Sequence, residues 1–231
     1  MGVSAALFVL IIAITGLLLN HTEDFQLDSR HVSSDWVLDW YGIEAPDTLL
    51  SFAAGNQHVT LMGEHLYLDR KEIDGEYEHL VGAVDLDDLR VAALDDAILL
   101  LTARGDIVER LGGEDGVPAG IRGIGIDPHG QLVTETNAGL FQAEADFLKW
   151  RRWEQDPATV HWARPVTVDA PLKRSLQAHY RGEVLPVERV VLDLHSGRFF
   201  GAAGPWVFDL AAFLLIFLSL TGTFIWLRRR R

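Results

Sequence analysis

The chain has 231 residues, with 33 Asp+Glu against 20 Lys+Arg, a formal charge of −13 and no cysteine. The acidic balance disfavours nucleic acid as a partner. The missing cysteines exclude disulfides, thiolate metal sites, iron–sulfur clusters and a cysteine nucleophile.

Residues 1–20 open with an apolar run. Gly2 to Leu19 holds no charge, and its only polar side chains are Ser4 and Thr15. At 1.5 Å per residue this makes about 27 Å of helix, just enough to cross a bilayer core. A signal peptide is the rival reading, but no basic residue precedes the run and no small-x-small cleavage site follows it. We expect a retained transmembrane helix. The missing basic flank further predicts that the chain as given begins inside its own first helix.

Residues 21–156 read as mainly β. A polar linker comes first, with an apolar patch of Trp36, Val37, Leu38, Trp40 and Tyr41 that suits a membrane surface or one end of the domain. From Leu49 a unit of strand, turn, strand, turn, strand recurs three times. Its turns fall at Gly63-Glu64, Asp95-Asp96, Arg104-Gly105-Asp106, Asp127-Pro128-His129-Gly130 and Asn137-Ala138-Gly139, which is hairpin chemistry. The recurrence of about 30 to 40 residues matches propeller blades, yet three units are too few to close a usual propeller. An open meander or curved sheet packed on something else is therefore expected. The aromatic and basic cluster from Asp146 to Trp153 reads as a last strand.

Residues 157–204 follow another grammar. Val160 to Val168 predicts a strand. Asp169 suits an N-cap and Pro171 a first helical turn. Leu172, Leu176 and Tyr180 share one helix face, and Gly182 is the expected stop. After Pro186, Val187 to Leu194 reads as a strand, His195-Ser196-Gly197 as a turn, and Arg198 to Gly201 as the returning strand of a hairpin. Residues 205–227 carry one charge, Asp209, and span about 34 Å as a helix. Trp206 and Trp226 lie near its ends, where amphipathic rings favour the headgroup layer. The basic tail, residues 228–231, belongs on the cytoplasmic side, which puts residues 21–204 outside and the N-terminus inside.

The run VVLDLHSGRFFG resembles the closing hairpin of the PepSY module, with Asp193, Ser196 and Gly197 at the positions of its apolar–Asp–x–x–(Ser/Thr)–Gly pattern. Thr15-Gly16-Leu17-Leu18-Leu19-Asn20-His21 and Leu220-Thr221-Gly222-Thr223-Phe224-Ile225-Trp226 resemble the membrane motifs of PepSY-associated transmembrane proteins. The likeness covers both ends of the chain and leaves out the middle β region. It implies an α+β membrane protein of the bacterial inner membrane. Two transmembrane helices would flank a mainly antiparallel β periplasmic domain with a PepSY-like helix–hairpin unit.

The resemblance also frames function. The first expectation is an accessory or interaction protein beside a membrane redox or iron–siderophore uptake system, with the bilayer and a membrane or periplasmic protein as partners. Larger relatives hold haem b through histidine pairs, so a haem b electron-transfer protein is one alternative. A regulator of a periplasmic peptidase is another. For haem the candidates are His21 and His195, which flank the outer ends of the two spans. Asp209 stands out because ionisable residues within a span are costly and often functional; its bland reading is a charge at the helix start. No H-E-x-x-H, G-x-S-x-G or Walker loop occurs, so the chain is expected not to be an enzyme on its own. Ala13, Gly16, Ser219 and Gly222 are small enough to let helices approach one another or a partner.

Overall fold

A computed structural model describes residues 2–144 and 147–230; Asp146 of the aromatic and basic cluster and Arg231 of the basic tail lie outside them. The chain forms two compact units, residues 45–180 and residues 1–44 with 181–231.

The second unit begins with α1 (Gly2–Asn20), the short α2 (Thr22–Phe25) and α3 (Asp35–Trp40). The apolar patch expected in the linker is thus helical. Leu38 turns inward and is buried, whereas Trp36 and Trp40 are exposed.

The unit of residues 45–180 holds three antiparallel sheets. The first runs β1 (Leu50–Ala54), β2 (Gln57–Met62), β3 (His65–Leu68), β4 (Lys71–Ile73). The second runs β5 (Gly82–Leu86), β6 (Leu89–Ala93), β7 (Ile98–Thr102), β8 (Ile107–Leu111). The third has β9 (Ile121–Ile126), β10 (Leu132–Thr136), β11 (Gly139–Ala143) and β12 (Trp150–Arg152), with β13 (His161–Trp162) on the other edge of β9. Two-residue hairpins need a left-handed first residue. Gly55, Gly63, Asp69 and Asp87 supply it, with φ between 52° and 64°. The first two sheets have one strand more than the three-run unit expected and the third has two, of which β12 is the last strand expected in the aromatic and basic cluster. β4 and β12 are three residues each, too short to show alternation, and β5 falls ahead of the recognised unit.

Burial shows how the sheets stack. β7 has no polar face: Leu99 and Leu101 join a core with Phe52, Val59, Leu66 and Leu68 of the first sheet. Ile98 and Leu100 join another with Ile121, Ile124 and Leu132 of the third. The far face of the first sheet, through Met62 and Tyr67, is covered by Leu172, Leu176 and Tyr180 of α4 (Ala170–Val184). Trp153 and Val160 cover Val133 on the far face of the third. β1 meets β5 and β5 meets β9. The chain then returns from β9 to β1: the Ala163 N–H donates to Ile124 O at 2.8 Å and that of Val166 to Ser51 O at 2.8 Å. The arrangement is three blade-like sheets whose open faces are closed by a helix and a loop, rather than by further blades. The strand expected over Val160 to Val168 is broken between these two edges. Gly82 sits where they cross; a Cβ there would lie 2.6 Å from Ile124 Cγ2.

Asp169 caps α4, its Oδ1 accepting from the Leu172 N–H at 2.8 Å. The helix continues past the expected stop at Gly182 to Val184. The larger departure is α5 (Val187–Ser196), a helix where a hairpin strand and turn were expected. Val187, Val190, Val191 and Leu194 recur at helical spacing, and a valine-rich run of this length reads equally well as a strand. Long-range contacts decide. The Val32 N–H donates to Leu185 O at 2.9 Å, Val187 to Arg30 O at 2.8 Å and Glu188 to Leu27 O at 2.8 Å, so the chain entering α5 is pinned. Gly197 ends it at φ 79°. A 3₁₀ turn, Arg198–Phe200, then leads into α6 (Gly204–Arg229). The helix–hairpin of the PepSY-like unit is thus a helix–helix pair in this chain. Among the described residues α6 is the one helix long and apolar enough to cross a membrane; the shorter apolar stretch of α1, Ala6–Asn20, does not reach that length.

Candidate functional site

α5 packs on α1, and Thr15, Gly16 and His195, three of the residues named from the sequence, meet there. Thr15 is buried in α1 and its hydroxyl lies 2.7 Å from Ile11 O and 3.0 Å from His195 Nδ1. With the hydroxyl proton given to Ile11 O, the imidazole donates from Nδ1 and keeps its lone pair on Nε2. Gly16 makes room for the ring: a Cβ there would stand 3.2 Å from His195 Cε1. The first Thr-Gly pair is therefore a seat for an imidazole within the chain. The second behaves differently. Thr221 turns its hydroxyl back to Phe217 O at 2.8 Å, and nothing lies within 4 Å of a Cβ on Gly222.

Asp193 is buried on α5. Its Oδ2 accepts from the Tyr41 hydroxyl at 3.0 Å and from Arg189 Nε at 3.1 Å. Its Oδ1 and the Ser196 Oγ are buried without a hydrogen-bond partner. The Tyr41 phenol is pushed up to about 12, first by burial, then by its hydrogen bond to Asp193 and the charge there, with Arg189 opposing. The folded value lies above the ordinary one near 10. The contact therefore stabilises the fold fully below that ordinary value and is lost as pH rises through the folded one. An ultraviolet titration of the phenolates is expected to show a late-ionising tyrosine that Tyr41→Phe removes. Tyr77 is raised by its burial as well, so the measure is the amplitude of the late step: an amplitude unchanged in the variant would mean the contact does not form.

A cavity of about 350 Å³ opens beside this carboxylate, lined by Trp40, Tyr41, Asp193, Arg198, Phe199 and Gly201. Its aromatic wall is held by the Trp40 Nε1–H, which donates to Phe199 O at 3.0 Å, and by the stacking of the two rings at 5.7 Å. Gly197 and Gly204 close the joint below it: a Cβ on Gly204 would lie 1.9 Å from Gly197 O, and one on Gly197 would lie 2.5 Å from Phe208 Cδ2.

The structure does not bring His21 and His195 together. His21 lies past the end of α1, its Nδ1 2.7 Å from Asp24 Oδ2 and its ring against Phe25. It is six residues beyond Thr15, about 9 Å along a helix axis. Asp209 is exposed in the second turn of α6, outside the first turn that a capping acid would occupy. Arg189 and Arg198 were not singled out as site residues by the sequence, and Thr15 and Tyr41 entered only as members of the Thr-Gly motif and the apolar patch. The Arg189–Asp193 pair has i, i+4 spacing, a signal that appears only once this run is read as a helix.

A search of curated proteins finds no match to the chain. The family model described as the PepSY-associated TM region matches residues 1–229. With its apolar α6, its antiparallel sheets and this match along nearly its whole length, the chain belongs to the PepSY-associated transmembrane family.

Proposed function

We propose that the protein is a membrane-anchored accessory subunit that engages a partner's transmembrane helix through the Gly222 face of α6. It serves a redox or iron–siderophore uptake system of the bacterial inner membrane. The observation that carries this reading is the contrast between the two Thr-Gly pairs. Gly16 receives the His195 ring, whereas Gly222 faces open space on a helix whose side chains from Leu210 to Leu227 are largely exposed. Small residues let a second helix approach closely in lipid, and Ser219 lies one turn before Gly222 on α6. In this reading α1 is the second span. The arginines that follow Leu227 hold the end of α6 in the cytoplasm, and the acidic β unit lies in the periplasm.

The absence of native cysteine makes the test clean. Ser219→Cys is expected to form one dominant crosslink to a membrane protein when the chain is treated in native membranes. Gly222→Leu in the same background is expected to reduce that product about tenfold, the scale of a lost close helix contact. Crosslinks spread evenly over many proteins, or a product indifferent to Gly222→Leu, would sink the proposal. A captured periplasmic peptidase would replace the uptake assignment with a regulatory one. A b-type reduced spectrum of the purified chain would replace it with electron transfer.

A further inference from the structure

We propose that the cavity beside Asp193 binds a phosphoethanolamine headgroup, that of phosphatidylethanolamine in the surrounding membrane. The inference rests on α6 as a span and is independent of the partner-binding reading. The chemistry starts from Asp193, which is 4% exposed. One of its oxygens has two donors and the other has none. A buried acceptor without a donor is destabilising, and more so when it is charged. A primary ammonium brings three N–H donors; a quaternary one brings none. The walls suit the same group, because the faces of Trp40, Tyr41 and Phe199 attract an alkylammonium.

Arg198 supplies the other half. It lines the cavity and is exposed, and among the described residues no ion pair or side-chain hydrogen bond engages it. A guanidinium takes a phosphate through two parallel N–H bonds. A buried carboxylate and an exposed guanidinium in one cavity match an ammonium joined by two carbons to a phosphate. Position points to the lipid as the source. The 3₁₀ turn carrying Arg198 leads directly into α6, and Trp36, Trp40, Phe200 and Trp206 nearby in the same unit are 56% to 77% exposed. Exposed aromatic rings at the end of a span lie at headgroup depth.

The test is native mass spectrometry of the full chain in mild detergent, with dioleoyl phosphatidylethanolamine and dioleoyl phosphatidylcholine offered in equal amounts. The ethanolamine lipid is expected to be retained about tenfold better, the value of one charge-assisted hydrogen bond. Arg198→Gln, a surface change that leaves the fold intact, is expected to lower retention of both lipids. Asp193→Asn is expected to abolish the preference between them, with tryptophan fluorescence reporting that the variant is folded. Displacement by soluble O-phosphoethanolamine supports headgroup recognition by itself. Selectivity without such displacement assigns the site to the whole lipid. Equal retention of the two lipids by the unaltered chain, or retention unchanged by Arg198→Gln, overturns the proposal.

Discussion

Leu99→Ala is expected to unfold the β unit at temperatures where the unaltered chain is folded. Leu99 is fully buried in an inner strand of the middle sheet, in the core shared with the first sheet. Its neighbours Ile98 and Leu100 face the opposite core. The strand is held from both sides and cannot shift toward the gap without spoiling one core or the other, so the cavity left behind stays open. Truncating a leucine in such a setting costs about 3 to 5 kcal/mol, against a total stability of about 5 to 15 kcal/mol for a domain. The control is Ile107→Ala on β8, where the side chain is 42% exposed; a cost under about 0.5 kcal/mol is expected there. Thermal unfolding followed by near-ultraviolet circular dichroism separates the two. Equal shifts for both substitutions would mean that the sheets do not stack as described.

Gly204→Ala is expected to be the most damaging single methyl in the helical unit. Gly204 opens α6 and Gly197 closes α5, and their backbones meet where no Cβ fits: the added carbon would stand 1.9 Å from a carbonyl oxygen. That atom is backbone, so relief requires the two helices to separate, and Phe208 would lose its place against Phe8 and Phe200. Overpacking of this kind costs about 1 to 3 kcal/mol. Gly222→Ala on the same helix meets nothing within 4 Å and is expected to leave the melting temperature of the purified chain unchanged. Thermal denaturation in detergent tests the pair. A Gly204→Ala protein as stable as the Gly222→Ala protein would show that the α5–α6 joint is looser than its geometry requires.

Much of this was legible in the sequence, and the reasons are local. The apolar run from Pro205 to Leu227 had no alternative to a long helix, because its length and lack of a polar face leave no soluble packing for it. The hairpins showed themselves where Gly or Asp must adopt a left-handed backbone, as at Gly63. Asp169 announced the start of α4 by the chemistry of its side chain. The paired Thr-Gly motifs and the Asp–x–x–Ser–Gly pattern pointed to the family that the whole-chain match establishes.

Other features depended on contacts between distant parts of the chain. The run from Val187 to Leu194 is β-branched and short, so its local preference is nearly balanced between strand and helix. Its partners at residues 27–32 tip it to helix. Only then do Arg189 and Asp193 share a face, and only the packing of α3 brings Tyr41 to that carboxylate. His195 read as a turn residue, yet it lies on α1 because Gly16 leaves space for its ring. The stacking of three sheets was equally hidden, since a strand buried on both faces shows no alternation to say which side is inside. The sequence by itself determined which segments are apolar, where the chain turns and which family it joins, since these follow from side-chain chemistry over a few residues. The tertiary structure alone decided the identity of α5, the closing of the blade stack and the surroundings of Asp193, because each is set by groups far apart in sequence that meet only when the chain is folded.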